Sequence, residues 1–129
     1  MRLDDLYLVD IIETWEAIEK FMDGVREEVF IANEVLCAAV EFKLMVMGEA
    51  LSSMTQTTRD AFTRTPVDRV RGMRNRIVHG YFDIDKKLVY QIAIKHVPPL
   101  AAEAEQLLAS LFPDTHERLQ ERRRLGIKD

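Results

Sequence analysis

The chain has 129 residues, of which 47 % are hydrophobic and 31 % are charged, with a formal net charge of −4 at pH 7. This length and apolar content suit one compact domain and exclude two domains of ordinary size. The acidic balance argues against a protein that coats nucleic acid with its whole surface. The only cysteine, Cys37, excludes an intrachain disulfide and favours a reducing compartment, so we expect a cytoplasmic protein.

The apolar segments predict neither export nor membrane insertion. The N-terminus "MRLDDLYLVD" turns acidic after one arginine and has no small-residue cleavage site. The most apolar stretch, "VLCAAVEFKLMVMGEAL", is interrupted by charged side chains and falls short of the roughly 20 apolar residues that span a bilayer. We therefore expect a soluble protein that has no membrane partner.

Apolar residues at spacings of three and four predict helices in the N-terminal half. From Leu8, positions 8, 11, 15, 18, 22 and 25 form one apolar face, so a first helix runs to about Gly24. A second helix, from about Glu28 to Met54, carries two apolar stripes and is either central in a bundle or shared with a partner subunit. The threonine-rich segment "SSMTQTTRDAFTRTP" then predicts a connector with at most a short helix.

The C-terminal half continues this pattern. Thr65, Pro66 and Asp68 fit an N-cap, a first-turn proline and a near capping box, which predicts the start of a third helix. Two further amphipathic helices follow in "DIDKKLVYQIAI" and "VPPLAAEAEQLLASLF". We predict an all-α, up-and-down bundle of about five helices in a domain of residues 1–112, followed by a charged C-terminal helix or tail at 113–129.

Positive charge is concentrated in one segment. Residues 59–79 contain six arginines and two aspartates, a net charge of +4, which leaves −8 for the remainder of the chain. This segment is either a solvated polar face, which is the common case, or a local phosphate-binding patch with a modest salt dependence. The later run "ERRRL" lies among almost equal numbers of acids and bases in residues 114–129, which favours a solvated helix.

The third helix ends in "RNRIVHGY", residues 74–81, where several polar side chains surround one glycine. At about 100° per residue, Arg74 and His79 diverge by about 140° in a regular helix. They converge only if the helix ends directly after His79, which Gly80 would permit by adopting a positive φ. Gly72 costs about 1 kcal/mol relative to alanine and suggests the close approach of another backbone, such as the same helix of a second subunit.

An arginine and a histidine are together sufficient to cleave RNA without a metal. His79 could assist attack by the ribose 2′-hydroxyl or protonate the leaving oxygen, because an imidazole exchanges protons near neutral pH. Arg74 could stabilise charge on the phosphoryl oxygens, and a cyclic phosphate end would result. From the residues alone, a histidine that caps the helix or interacts with its dipole is the more common case.

The stretch "RGMRNRIVHGYFDID" resembles the signature of the HepT toxins in the HEPN superfamily. In that signature four residues separate an arginine from a histidine, and one residue separates the histidine from a tyrosine. Arg74, His79 and Tyr81 occupy these positions. The segments "VDRVRGM", "FDIDKKLVYQI", "VPPL" and "VMGEAL" extend the likeness over most of residues 5–110. The charged C-terminal tail lies outside it.

The resemblance implies an all-helical, homodimeric, metal-independent endoribonuclease that acts on RNA in a cleft between its subunits. It implies the toxin of a type II- or VII-like toxin–antitoxin pair, whose partner antitoxin is a minimal nucleotidyltransferase. Arg74 and His79 would be the catalytic pair, and Tyr81 would be the residue that the antitoxin modifies with AMP. No cofactor is implied.

Four neighbouring residues are candidates for supporting roles. Asn75 could orient His79 or bind phosphate, and we expect Arg71 and Arg76 to help bind RNA. Glu49 could support Arg74, although a solvent-facing carboxylate is the more common case for such a residue.

His96 and His116 have no carboxylates or cysteines at ligand spacing, so we predict no metal site. Two other functions remain open: a non-catalytic HEPN subunit that binds and scaffolds a nucleotidyltransferase, and a plain helical interaction module. The intact motif favours the ribonuclease, by family analogy.

Overall fold

The computed structural model describes residues 3–65, 67–80 and 84–126. Every regular element within these ranges is helical, and none of the described helices is long and apolar enough to cross a membrane. The all-α prediction is therefore confirmed. The elements are α1 (Asp4–Met22), α2 (Glu27–Ala32), α3 (Glu34–Ser53), α4 (Gln56–Asp60), α5 (Val67–Gly80), α6 (Lys86–Gln91), a π-helix (Ile92–His96), α7 (Val97–Leu111) and α8 (Pro113–Leu125).

Helix α3 is packed against both α1 and α5, the helix that carries the motif. Helix α1 also packs against α7, and α7 in turn packs against α8. Each of these helices buries the face on which apolar residues recur every three or four positions. The fully buried core side chains include Leu8, Ile11, Ile12, Ile18, Phe30, Leu44, Met47, Leu51, Met73, Leu100 and Leu108. The up-and-down arrangement of the bundle stays a prediction.

The two apolar stripes of α3 have different environments. The stripe that includes Val40, Met47 and Leu51 is completely buried in the core. The other stripe is exposed within the single chain, since Val35 is 81 % and Phe42 is 54 % accessible to solvent. Exposed large apolar side chains along one helix face are typical of an interaction surface. Only one of the two predicted faces is therefore covered by the chain itself.

The predicted second helix, from Glu28 to Met54, is divided into α2 and α3. Asn33 has extended backbone angles, and its Oδ1 atom accepts a hydrogen bond from the Leu36 N–H at 3.0 Å. Asparagine is among the preferred N-cap residues because its short side chain satisfies a free N–H of the first turn. The apolar periodicity runs across the break, which is why it predicted one continuous helix.

The two helices predicted after the motif form one continuous helical run. Pro98 and Pro99 occupy the first turn of α7 as predicted, and neither has an N–H to donate to the carbonyl four residues earlier. The chain widens into a π-helix just before them, where the Val97 N–H donates to the Ile92 carbonyl. The proline pair thus changes the hydrogen-bonding pattern without ending the helical path.

The charged C-terminal segment forms a docked helix. Helix α8 buries Leu119 and makes polar contacts to α7 through Glu105, which accepts hydrogen bonds from Arg123 Nη1 at 2.8 Å and Nη2 at 3.1 Å. The hydrogen bond from Arg123 is the main reason that the pKa of Glu105 lies below its usual value. Nε2 of His116 also lies 3.1 Å from Oε2 of Glu105. The domain boundary at residue 112 stays a prediction.

Candidate active site

A buried carboxylate holds the segment that leads into α5. Glu103 of α7 is only 4 % accessible and accepts hydrogen bonds from the Thr63 N–H, the Arg64 N–H and the Thr65 hydroxyl, at 3.0, 3.1 and 2.6 Å. Burial by itself raises the pKa of Glu103, but these donors outweigh it and hold the pKa below its usual value. The Thr65 hydroxyl, predicted as an N-cap, instead donates to Glu103, and Pro66 lies outside the described residues.

A glycine on α3 permits the close packing of α5. A Cβ atom at Gly48 would lie 2.3 Å from the Arg74 Cβ and 3.2 Å from the Val70 carbonyl oxygen, so no larger residue fits without separating the helices. The close approach predicted at Gly72 is not found within the chain, where an added Cβ would meet nothing within 4 Å. The glycine in the middle of the apolar run "VMGEAL" was the signal in the sequence for the contact at Gly48.

The Arg74 guanidinium is held on two sides. Its Nε atom donates to Oε2 of Glu49 at 2.8 Å, its Nη2 atom lies 2.7 Å from the same oxygen in an ion pair, and its Nη1 atom donates to Oδ1 of Asn75 at 3.0 Å. The Arg74 side chain is 27 % accessible and that of Glu49 is 56 % accessible. Glu49 is therefore both solvent-facing and in contact with Arg74. Asn75, proposed to orient His79, contacts Arg74 instead.

Arg74 and Glu49 line an open cavity of about 400 Å³ between α1, α3 and α5. Asp10 and Tyr7 of α1 complete its polar part. The remaining lining is apolar and comprises Phe42, Met45, Val46, Ala50 and Val78. Arg74 is the cation among these lining residues and could bind an anion through its guanidinium, whereas the carboxylates of Asp10 and Glu49 oppose that binding.

His79 lies in the last turn of α5 with its side chain exposed. The lining of the Arg74 cavity, as far as the described ranges define it, does not include His79. Gly80 does not adopt the predicted positive φ; it continues the helix, so the turn that would fold the imidazole back is not at this residue. Tyr81 lies outside the described residues.

The other two arginines of the motif lie on different flanks of α5. Arg71 faces α3 on the same side as Arg74: its Nε atom lies 3.3 Å from the Ser52 hydroxyl, and its Nη1 atom lies 3.7 Å from Asp68. Arg76 is exposed and lines a separate cavity of about 230 Å³ that also includes Asp85. Of the two residues predicted to bind RNA, only Arg71 lies near Arg74.

Part of the arginine-rich segment has a structural role. Arg59 donates through Nη1 to the carbonyls of Leu51 and Met54, at 3.1 and 3.0 Å, and so satisfies free carbonyls at the end of α3. Arg64 lies 3.6 Å from the buried carboxylate of Glu103. The cations that could bind phosphate are therefore fewer than the six that the sequence contains.

No group of three histidine, cysteine, aspartate or glutamate side chains comes together as a metal site in the described part of the chain. His96 is partly buried, and its pKa is lowered mainly by this burial and further by the charges of Arg69 and Lys95. His116 contacts Glu105 and also lies 3.3 Å from the Gln120 amide. Neither histidine lines the Arg74 cavity.

Comparison with known proteins places these features in a family. The family described as "Ribonuclease HepT-like" matches residues 11–107. The chain belongs to the HepT-like ribonuclease family. Helices α3 and α5 with Glu49, Arg74 and His79 lie inside the matched region, whereas α8 lies outside it.

Individual relatives agree with this assignment. A "Putative RNase" of Methanocaldococcus jannaschii is 30 % identical over 105 residues, which is 81 % of this chain and 87 % of that protein. A "Putative RNase" of Caldanaerobacter subterraneus subsp. tengcongensis is 26 % identical over 108 residues, or 84 % of this chain and 96 % of that protein. A protein of Thermococcus cleftensis named "Probable ribonuclease HepT" is 28 % identical over 101 residues, or 78 % and 92 %. No solved structure shows a significant match.

Proposed function

We propose that this chain is a metal-independent endoribonuclease in which Arg74 and His79 are the catalytic pair, and that it is the toxin of a toxin–antitoxin pair. The observation that carries the proposal is the setting of Arg74, whose guanidinium is held in an open cavity five residues before an exposed imidazole at the end of the same helix. Membership of a family named for ribonucleases supports the reaction class.

The proposed reaction needs one anion-stabilising group and one group that moves protons. The ribose 2′-oxygen attacks phosphorus, the bond from phosphorus to the 5′-oxygen breaks, and a 2′,3′-cyclic phosphate and a 5′-hydroxyl are formed. The His79 imidazole takes the proton of the 2′-hydroxyl or gives a proton to the departing 5′-oxygen. Arg74 donates hydrogen bonds to the non-bridging oxygens as their negative charge grows.

A homodimer would bring two copies of each catalytic group to one cleft. The exposed stripe of α3 supports this proposal, because Phe42 belongs both to that stripe and to the lining of the Arg74 cavity, and Val78 of α5 is exposed beside it. A second copy that covers this apolar surface would also exclude water from the cavity, which strengthens the interaction of Arg74 with phosphate. One imidazole could then accept a proton while the other donates one.

Cleavage of RNA by the purified chain in excess EDTA tests the proposal. We expect cyclic phosphate ends, and we expect Arg74→Ala and His79→Ala each to lower the rate by at least about 100-fold, as for loss of a transition-state donor or a general acid–base group. Arg118→Ala on α8, an exposed arginine far along the chain from the motif, serves as the control. If the wild-type chain binds a nucleotidyltransferase but does not cleave RNA, the chain is a non-catalytic subunit instead.

Tyr81 is the proposed site at which the antitoxin acts. In this reaction the phenol oxygen attacks the α-phosphorus of ATP, pyrophosphate leaves, and an AMP remains on the tyrosine. Intact-mass measurement of chain co-expressed with the nucleotidyltransferase should show increments of one AMP, which Tyr81→Phe abolishes and Tyr7→Phe does not. Unmodified wild-type chain, or modification mapped to Tyr7 or Tyr90, would contradict the assignment.

A further inference from the structure

We infer that Glu49 is a positioning residue of the ribonuclease site, whose carboxylate fixes the Arg74 guanidinium in the orientation that receives the RNA phosphate. The inference rests on the proposed function, because it concerns the same cavity. It extends the site from the motif on α5 to a residue on α3 that lies 25 positions earlier in the chain.

The geometry of the contact determines which donors remain free. Oε2 of Glu49 accepts from Nε of Arg74 and lies 2.7 Å from Nη2, and Asn75 accepts from Nη1. A guanidinium carries five N–H groups, one on Nε and two on each terminal nitrogen. The two hydrogen bonds use one N–H on Nε and one on Nη1, which leaves N–H groups on both Nη1 and Nη2. Two N–H groups on adjacent nitrogens are the fork that binds two oxygens of a phosphate.

The backbone around Glu49 makes the contact rigid. Its neighbour Gly48 lies directly against the Arg74 Cβ, so the hydrogen bond from Arg74 to Glu49 lies beside a close contact of α3 with α5. The Arg74 side chain is therefore held at its Cβ atom by the contact with Gly48 and at its guanidinium by Glu49 and Asn75. A long side chain held at both ends loses little rotamer freedom when it binds, which favours correct orientation in the transition state.

The charge of Glu49 also affects binding. An exposed carboxylate beside Arg74 lowers the positive potential of the cavity, which by itself opposes the binding of a phosphate. Orientation and affinity therefore depend on Glu49 in opposite directions. A residue that served only to stabilise the fold would lower the apparent kcat through the amount of active protein and would leave KM unchanged, whereas loss of the Glu49 charge should lower KM.

Kinetics of Glu49→Ala and Glu49→Gln on an RNA oligonucleotide test the inference. We expect Glu49→Ala to lower kcat by about 10- to 100-fold, as when a group that orients a functional side chain is removed, and also to lower KM, because a charge that opposes phosphate binding is lost. Glu49→Gln keeps an acceptor oxygen, so it should recover most of kcat and retain the wild-type pH–rate profile. Glu19→Gln, an exposed carboxylate on α1, is the matched control.

Side-chain nitrogen NMR of Arg74 gives a second measurement that does not require catalysis. We expect slow rotation and slow exchange of the Arg74 guanidinium in the wild-type chain, and averaged signals in Glu49→Ala. Equal kcat in Glu49→Ala and wild type, or loss of one limb of the pH profile in Glu49→Gln, would overturn the positioning role. If the wild-type chain does not cleave RNA, the proposed function fails, whereas unchanged NMR signals in Glu49→Ala reject the inference by itself.

Discussion

Arg74 and His79, at the two ends of the motif, differ in how many contacts within the single chain hold their side chains. Arg74 packs against Gly48 and is hydrogen-bonded to Glu49 and Asn75, so its position is determined by the contact of α3 with α5. His79 is exposed in the last turn of α5, and Gly80 continues the helix instead of reversing the chain. We therefore propose that the phosphate-binding half of the site, at Arg74, is preorganised in the single chain, and that the proton-transfer half, at His79, is completed by contacts with a second copy and the RNA.

Gly48→Ala should give the largest effect, because it acts on the ordered half. The added Cβ would lie 2.3 Å from the Arg74 Cβ, and the helices must separate to accept it. We expect a loss of about 1–3 kcal/mol in unfolding free energy from overpacking, and a loss of about 100-fold in cleavage rate as Arg74 moves. Urea unfolding and RNA cleavage measure the two effects.

Gly72→Ala is the matched control for Gly48→Ala. It adds the same methyl group to α5, at a position where nothing lies within 4 Å of the added atom. The chain should become more stable by about 1 kcal/mol, because alanine has a higher helix propensity than glycine. Wild-type stability and rate in Gly48→Ala would contradict the close contact. Weakened self-association in Gly72→Ala would instead place Gly72 at the surface between two copies.

Phe42→Asp tests whether the second half of the site depends on a partner. The aromatic ring is 54 % accessible in the single chain, and a carboxylate there would be buried without a partner if a second copy covers it. We expect dimerisation to weaken by at least about 100-fold, which corresponds to about 3 kcal/mol, and activity to fall with the fraction of dimer. Sedimentation equilibrium and cleavage at matched concentrations measure this.

Leu125→Asp serves as the control for Phe42→Asp, since Leu125 is exposed on α8 outside the apolar stripe of α3. It should leave association unchanged. A wild-type chain that is monomeric and fully active would refute the shared cleft, and would require His79 to reach the substrate within one chain.

Glu103→Gln tests the hydrogen bonds that hold the segment before α5 against α7. We expect a loss of about 1–3 kcal/mol in unfolding free energy at neutral pH, because a neutral amide oxygen accepts more weakly from the Thr63 and Arg64 N–H groups than a carboxylate does, and the amide NH₂ cannot accept from the Thr65 hydroxyl. The pKa of Glu103 is lowered below its usual value of 4.5 in the folded chain. Its ionised form therefore stabilises the chain above that value, and the stabilisation is lost as the pH falls through the lower, folded pKa.

The difference in unfolding free energy between wild type and Glu103→Gln should accordingly become smaller as the pH falls below about 4.5. Urea unfolding at stepwise lower pH measures this difference. The pKa values of Asp4 and Glu105 are also lowered, so the wild-type chain loses stability in acid for several reasons, and only the difference between the two variants isolates Glu103. A difference that stays constant with pH would show that the charge of Glu103 does not contribute.

Arg71→Gln and Arg76→Gln should give the smallest effects, and Arg71→Gln should weaken RNA binding more than Arg76→Gln does. Arg71 lies on the flank of Arg74, so its loss should weaken RNA binding and reduce the salt slope by about 1, as for one phosphate contact. Arg76 lies on the other flank and should change the slope by less. Binding titrations at several salt concentrations measure both. Equal slopes would mean that RNA contacts both flanks of α5.

Much of the fold followed from local patterns in the chain. The recurrence of apolar residues predicted α1 and α7, the segment from Thr65 to Asp68 predicted the start of α5, and the threonine-rich composition predicted a connector with at most a short helix, where α4 lies. These features depend on neighbours within one or two helical turns. The division at Asn33 was missed, since the same periodicity continues through the cap. The π-helix before Pro98 was also missed, since the apolar pattern does not distinguish hydrogen bonds over four residues from those over five.

The sequence alone determined the helical class, the family and the candidate pair Arg74 and His79, since each depends on residue identities at short spacings. The tertiary structure decided that Glu49 and Asn75 hold Arg74, that the close approach within the chain is at Gly48 and not at Gly72, and that Arg71 and Arg76 lie on different flanks. These facts depend on how α3 and α5 cross, and a crossing is set by the packing of side chains far apart in the chain, which no local pattern encodes.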